Sequence, residues 1–249
     1  MRVGLFVTCL VDLMRPSVGF AALRLLEAAG CDVVVPQAQT CCGQPAHNAG
    51  RRDDAKELAK ATVAAFEDCD YVVAPSGSCA GMLRIHFPAL LADEPEWAER
   101  AKLFAARCHE LVSFLVHVRR ASISARLNAV AAYHDSCSAL RELAIREEPR
   151  QLLAEVEGLT LREIKDGQQC CGFGGAFCVK YPEVAARIAR DKLTAAKRTG
   201  AEMIVSADLG CLLHLAGLAS REGVAISCRH VAEVLAGDAS IPAIGEASK

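Results

Sequence analysis

Two copies of Cys-Cys-Gly, Cys41-Cys42-Gly43 and Cys170-Cys171-Gly172, stand in the same frame, each with one cysteine well upstream and another well downstream. The frames are Cys9, Cys41, Cys42, Cys79 and Cys137, Cys170, Cys171, Cys211. The intervening residues number 31 and 36 in the first frame and 32 and 39 in the second. With 13 cysteines in 249 residues, chance alone gives about 0.7 adjacent pairs, so a single pair would constrain little. Two pairs in matching frames require a fold that repeats itself and gathers thiols twice.

The patterning between the cysteines supplies that fold. Short apolar runs at 2–8, 32–35 and 71–74 predict strands, and helical periodicity covers 18–29 and 52–66. The loop from Pro36 carries Cys41 and Cys42, while Cys79 opens the next helix, with further helical segments at 96–106 and 111–118. A polar joint at 119–128 follows, and the pattern begins again. Strands are predicted at 129–133, 160–164 and 203–206, and helices at 150–156 and 182–199, the latter with Pro182 in its first turn and Gly200 as its stop. Cys108-His109-Glu110-Leu111-Val112 near the end of the first half rhymes with Cys228-Arg229-His230-Val231-Ala232 near the end of the second, and the small, polar tail from Gly237 is expected to fray. Alternating strands and helices predict an α/β protein of two pseudo-symmetric halves, 1–122 and 123–249, each a mostly parallel sheet flanked by helices. Sites in such sheets form beyond the carboxyl ends of the strands, where all eight frame cysteines fall, so each half is expected to bring four thiols into one pocket.

Composition narrows the chemistry. A net charge of −2, no long Lys or Arg run and 5% aromatics leave no electrostatic or stacking surface for nucleic acid, so no such partner is expected. No apolar run reaches the ~18 residues of a membrane span, and the start lacks the marks of a secretion signal, so a cytoplasmic location without a transmembrane segment is expected. In a reducing compartment, an odd number of cysteines points to metal or redox chemistry rather than a disulfide framework. Thiolates are soft ligands for iron-sulfur clusters, zinc and copper(I), and four per half suit a 4Fe-4S cluster or a Cys₄ zinc site. Adjacent cysteines with distant partners differ from the C-x₂-C pairs of zinc ribbons and favour the cluster, with zinc as the alternative. Predicted helix starts at Cys79 and Cys211 favour thiolate. Gly43, Gly172, Gly174 and Gly175 would either admit a bulky core or make a tight turn. Cys31, Cys69, Cys108 and Cys228 read as core packing. Cys178 stands beside the second loop as a spare thiol, His47, His134 and Asp135 as residues that either hydrogen-bond to sulfur or serve the fold, and Lys180 as a cation that either offsets a cluster's charge or is solvated. No acid-base pair, nucleophile triad or phosphate-binding glycine loop stands out.

The stretches Val-Gly-Leu-Phe-Val-Thr-Cys-Leu-Val from Val3, Thr-Cys-Cys-Gly-Gln-Pro from Thr40, Ala-Pro-Ser-Gly-Ser-Cys from Ala74, His-Asp-Ser-Cys from His134, Cys-Cys-Gly-Phe-Gly-Gly from Cys170, Ser-Ala-Asp-Leu-Gly-Cys-Leu-Leu from Ser206 and His-Val-Ala-Glu-Val-Leu-Ala-Gly from His230 together resemble the cysteine-rich Cys-Cys-Gly domain family. The resemblance spans nearly the whole chain and is closest to the branch serving lactate utilisation; the same domain occurs in heterodisulfide reductase and in the iron-sulfur component of glycolate oxidase. It implies an iron-sulfur electron-transfer component acting with two partner proteins, at least one of them also iron-sulfur, in oxidising L-lactate to pyruvate. It implies as ligands Cys9, Cys41, Cys42 and Cys79 for one cluster and Cys137, Cys170, Cys171 and Cys211 for the other. A related 2-hydroxy acid oxidase, acting on glycolate, or a heterodisulfide reductase-like complex is the alternative within the family, and a zinc-binding interaction module or a thiol-disulfide enzyme the alternative outside it. Heterodisulfide reductase closes each frame with C-x-x-C, giving five thiolates; here Met82 and His214 stand at the fifth positions, so four-thiolate cubanes are expected.

Overall fold

The computed structural model describes residues 1–165, 168–238 and 240–246. The first half runs β1 (Arg2–Leu5), α1 (Cys9–Met14), α2 (Pro16–Ala28), β2 (Asp32–Val34), α3 (Gln44–Asn48), α4 (Arg52–Ala65), β3 (Tyr71–Ala74), α5 (Gly77–Gly81), α6 (Phe87–Leu90), α7 (Ala98–Arg107), β4 (Cys108–Glu110) and α8 (Leu111–Ser113). One π-helical stretch, Met82–His86, joins α5 to α6, and another, Phe114–Arg119, extends α8. The second half runs β5 (Arg126–Tyr133), α9 (Cys137–Arg141), α10 (Glu147–Ala154), β6 (Glu157–Arg162), α11 (Ala176–Lys180), α12 (Pro182–Arg198), β7 (Met203–Ser206), α13 (Leu209–Glu222), β8 (Ser227–His230) and α14 (Val231–Leu235).

Each half forms a four-stranded parallel sheet in the same order, β2-β1-β3-β4 and β6-β5-β7-β8. The chain leaves the first strand of each sheet toward one edge and returns to build toward the other. The order therefore reverses between β1 and β3, and between β5 and β7, which opens a crevice at the carboxyl ends of those strands. The strands are covered on both faces: Val3, Leu5, Val72, Val73 and Ala74 are essentially inaccessible, as are Ala131, Ile204 and Val205. Helix and sheet approach closely enough that a Cβ on Gly4 would lie 2.4 Å from the Phe66 ring.

One apolar cluster mixes the halves, joining Leu26, Leu111 and Phe114 to Leu152, Leu193, Ile204 and Leu215. A second draws its fully buried members from the first half, among them Phe6, Phe66, Phe87 and Phe104. Polar contacts close the seam: Arg15 and Ser17 at the start of α2 bind buried Glu233 of α14 at 2.8 and 2.7 Å. His230 Nε2 lies 3.1 Å from the Pro75 carbonyl of the other half.

The two-half α/β architecture agrees with the sequence reading, and β3 and β7 fall at the predicted residues. Three features depart from it. The rhyming segments at Cys108 and Cys228 are fourth strands, formed because β3 and β7 each offer an open edge for pairing. Cys9 and Cys137, past the ends of predicted strands, each begin a short helix that the sequence reading did not place. The expectation of a frayed tail is corrected for its described part: Ala243 and Ile244 are buried, and the Ile244 N–H donates to the Cys228 carbonyl at 2.9 Å.

Candidate metal centre

At the first crevice, Cys9 is the opening residue of α1 just past β1, Cys79 sits in α5 just past β3, and Cys41 and Cys42 lie in the loop after β2. The Thr8 side chain caps α1 and that of Ser76 caps α5, accepting from the Cys79 N–H at 3.3 Å, so both flanking cysteines are held on fixed backbone. The four thiols form an ordered chain, Cys9 to Cys41 to Cys42 to Cys79, with the last pair 3.5 Å apart.

The second crevice repeats the arrangement. Cys137 opens α9 past β5, Cys211 sits in the first turn of α13 past β7, and Cys170 and Cys171 follow β6. Their thiols run Cys137 to Cys170 to Cys171 to Cys211. The Gly172 N–H donates to Cys170 Sγ at 3.3 Å and the Phe173 N–H to Cys171 Sγ at 3.4 Å.

The electrostatics of the sets match as well. Cys41, hydrogen-bonded by Cys42 and Cys9 and by the Gly43 and Cys42 amides, is held down at about 2. Cys170, bonded by Cys137 and Cys171 and by the Gly172 amide, is also held at about 2. Their neighbours move the other way: Cys9 and Cys42 are pushed up by donating to Cys41 and by burial, and Cys137 by donating to Cys170 and by burial. Each set thus accommodates one thiolate and resists more, and a cationic metal or cluster core would relieve that resistance. Four converging soft donors at each crevice fit such a core.

Each Cys-Cys pair is followed by a glycine in the left-handed region, Gly43 at φ +81° and Gly172 at φ +88°. A Cβ on Gly172 would lie 2.4 Å from the Ala185 carbonyl oxygen of α12, so this glycine serves a tight turn packed on a helix.

Two residues distinguish the second centre. His134 is fully buried, and neither ring nitrogen has a hydrogen-bond partner among the described residues. Its nitrogen, Cys171 Sγ and Cys211 Sγ lie within 4.8 Å of one another. Lys192 of α12 is also fully buried, within electrostatic reach of Asp135 and of Cys171, Cys137 and Cys170. The sequence reading left His134 open between a bond to sulfur and a structural role, and it missed Lys192. The available signal was a lysine at a core position of an amphipathic helix, spaced with Ala185, Ala189, Leu193 and Ala196.

The other candidates make contacts of their own. Met82 packs inside the aromatic cluster of the first half. The His214 Nε2 faces the Ala185 carbonyl at 3.4 Å, beside Gly172. Cys178 donates to the Gly175 carbonyl at 3.1 Å, Lys180 is exposed, and the His47 ring packs against His86 at 5.0 Å. Cys31, Cys69, Cys108 and Cys228 are buried in apolar surroundings, which raise the Cys228 thiol to about 12.

Comparison with known proteins adds to this geometry. The CCG family model, described as a cysteine-rich domain, matches residues 3–84 and again residues 131–216. Each match encloses one set of four thiols. The chain is 44% identical over 236 residues to lactate utilization protein A of Bacillus thuringiensis strain Al Hakam, covering 94% of this chain and 98% of the relative. Lactate utilization protein A 1 of Bacillus cereus strain Q1 matches at the same 44% identity over the same shares. A hypothetical protein from Helicobacter pylori shares the fold, with a TM-score of 0.69 at 11% identity, covering 99% of this chain and 49% of that one.

Proposed function

The chain belongs to the cysteine-rich CCG domain family, in two copies, and to the family of proteins called lactate utilization protein A, and on that premise we propose that it is an iron-sulfur electron-transfer subunit of a multi-protein system oxidising L-lactate to pyruvate. The carrying observation is the duplicated chain of four thiols at two equivalent crevices. Cys9, Cys41, Cys42 and Cys79 hold one 4Fe-4S cluster, and Cys137, Cys170, Cys171 and Cys211 the other. Bound clusters supply one-electron transfer without bond changes in substrate. The protein's own part is to fix four sulfurs per site and donate N–H groups to them, as Gly172 and Phe173 do for Cys170 and Cys171. Met82 in the core and His214 against a carbonyl leave four thiolates per site, which favours a cubane over the five-thiolate heterodisulfide type.

Lactate oxidation is then placed in a complex with two partner proteins, at least one also iron-sulfur, in the cytoplasm. No helix among the described residues is long and apolar enough to cross a membrane.

Anaerobic purification is expected to give a brown protein with about eight irons per chain and matching sulfide. Adding L-lactate in the presence of both partners should bleach it, and glycolate should do so far less. A colourless, iron-free anaerobic sample defeats the cluster reading, and equal bleaching by glycolate defeats the lactate assignment.

One observation favours a second reading, a zinc-holding interaction module. Tetrahedral zinc with arms of about 2.3 Å sets sulfurs about 3.8 Å apart, near the 3.5 Å between Cys42 and Cys79. Zinc is redox-silent, so metal analysis with low-temperature electron paramagnetic resonance after dithionite separates the two.

A further inference from the structure

The two thiol sets are alike, but their surroundings are not. After β1 the Phe6 N–H donates to the Val73 carbonyl at 2.9 Å, and after β5 the His134 N–H donates to the Val205 carbonyl at 2.8 Å. Phe6 and His134 therefore occupy the same place, three residues before Cys9 and Cys137, and both are fully buried. The core faces of α4 and α12 also match residue for residue, Ala55, Ala59, Thr62 and Val63 against Ala185, Ala189, Lys192 and Leu193. Where the first half buries a phenyl ring and a hydroxyl that is spent on the Leu58 carbonyl at 2.8 Å, the second buries an imidazole and an amine.

We propose that this asymmetry makes the second centre the one of higher reduction potential, so that electrons entering the chain at the Cys9 set come to rest at the Cys137 set. The inference rests on reading both sets as iron-sulfur sites.

Reducing a cluster adds negative charge. His134, whose nitrogen lies within 4.8 Å of Cys171 and Cys211 Sγ, stabilises the reduced state by donating its N–H to sulfur. Lys192 acts in the same direction through a low-dielectric interior, within electrostatic reach of all four thiols. Arg141, one turn after Cys137, adds a further cation to that thiol's surroundings. The nearby acid Asp135 is held bidentate by Arg150, with both contacts at 2.9 Å, which offsets its charge. Asp208 opposes this trend at Cys211, whose thiol burial and this carboxylate push up, while the Ser76 and Ser78 hydroxyls and the Ser78 N–H donate to the carboxylate. Besides burial, the strongest influences at Cys9 and Cys42, as at Cys137 and Cys171, come from thiols of their own set. The step moves one electron: the first cluster, reduced by the 2-hydroxy acid system, is oxidised as the second is reduced.

The test is a potentiometric titration followed by electron paramagnetic resonance on chains with one centre removed. Cys42→Ala isolates the second centre and Cys171→Ala the first. At a common potential, the reduced-to-oxidised ratio of the second centre should exceed that of the first at least tenfold, about 59 mV for one electron. In the Cys42→Ala chain, Lys192→Met and His134→Leu should each shift the surviving centre toward the first. Lys192→Met, of similar size, carries this arm if His134→Leu loses iron. Equal potentials, a lower potential at the second centre, or unchanged potentials in iron-loaded variants overturn the proposal. Loss of both clusters from the unaltered chain would instead defeat the iron-sulfur reading itself.

Discussion

Glu110 shows how far burial can move one residue in this fold. Its carboxylate caps α8, accepting from the Val112 and Ser113 N–H groups at 2.8 and 3.0 Å, yet burial outweighs those bonds and lifts its pKa to about 8. Between about pH 4.5 and 8 the folded chain keeps a proton that the unfolded chain releases, so stability falls as pH rises through that window. The loss is on the order of a few kcal/mol. Glu110→Gln is expected to match the parent near pH 5 and to exceed it at pH 8.5, read as urea midpoints at the two values. The cysteines divide in the same residue-level way. Cys108→Ala should cost about 1 to 2 kcal/mol by leaving a small cavity and should retain all iron. Cys171→Ala should halve the iron and sulfide content.

At the scale of elements, the turn after each Cys-Cys pair is what aims adjacent thiols at one crevice. Gly172→Ala places a Cβ 2.4 Å from the Ala185 carbonyl in addition to straining a φ of +88°. It should cost about 3 kcal/mol or more and displace Cys171 from its set, seen as a lower Tm and loss of the second centre's signal. Gly43→Ala meets Leu58 only at ordinary contact, 3.4 Å, so its cost should be the φ strain alone, about 1 to 2 kcal/mol. The opposite order of Tm losses would show that the loops rearrange freely.

At the scale of the whole molecule, the halves are joined by a mixed core and by a buried ion pair. Arg15 binds the inaccessible Glu233 at 2.8 Å, and Ser17 and the His230 N–H share that carboxylate. Arg15→Leu strands a buried charge and should destabilise the protein by about 3 kcal/mol. Arg15→Leu with Glu233→Gln should recover part of this, and additive losses in denaturant melts would rule out the coupling.

Much of this was legible in the sequence, because two of its signals are local. Apolar runs and helical periodicity located six of the eight strands and the long helices, and the repeated Cys-Cys-Gly frame fixed both the duplication and which thiols converge. Other features depend on neighbours far along the chain. The strand at Cys108–Glu110 is three residues long and carries no period of its own; it exists because β3 has an edge to pair. Lys192 keeps to the core face of its helix, but that the fold buries its amine completely is decided by distant neighbours, and Ile244 reads as tail until the Cys228 carbonyl receives its N–H. The sequence by itself determined a doubled α/β chain that gathers four thiols twice. Only the tertiary structure decided that His134 and Lys192 stand beside one set while Phe6 and Thr62 stand at the matching places by the other, because burial and charge around a site are set by residues that meet in space.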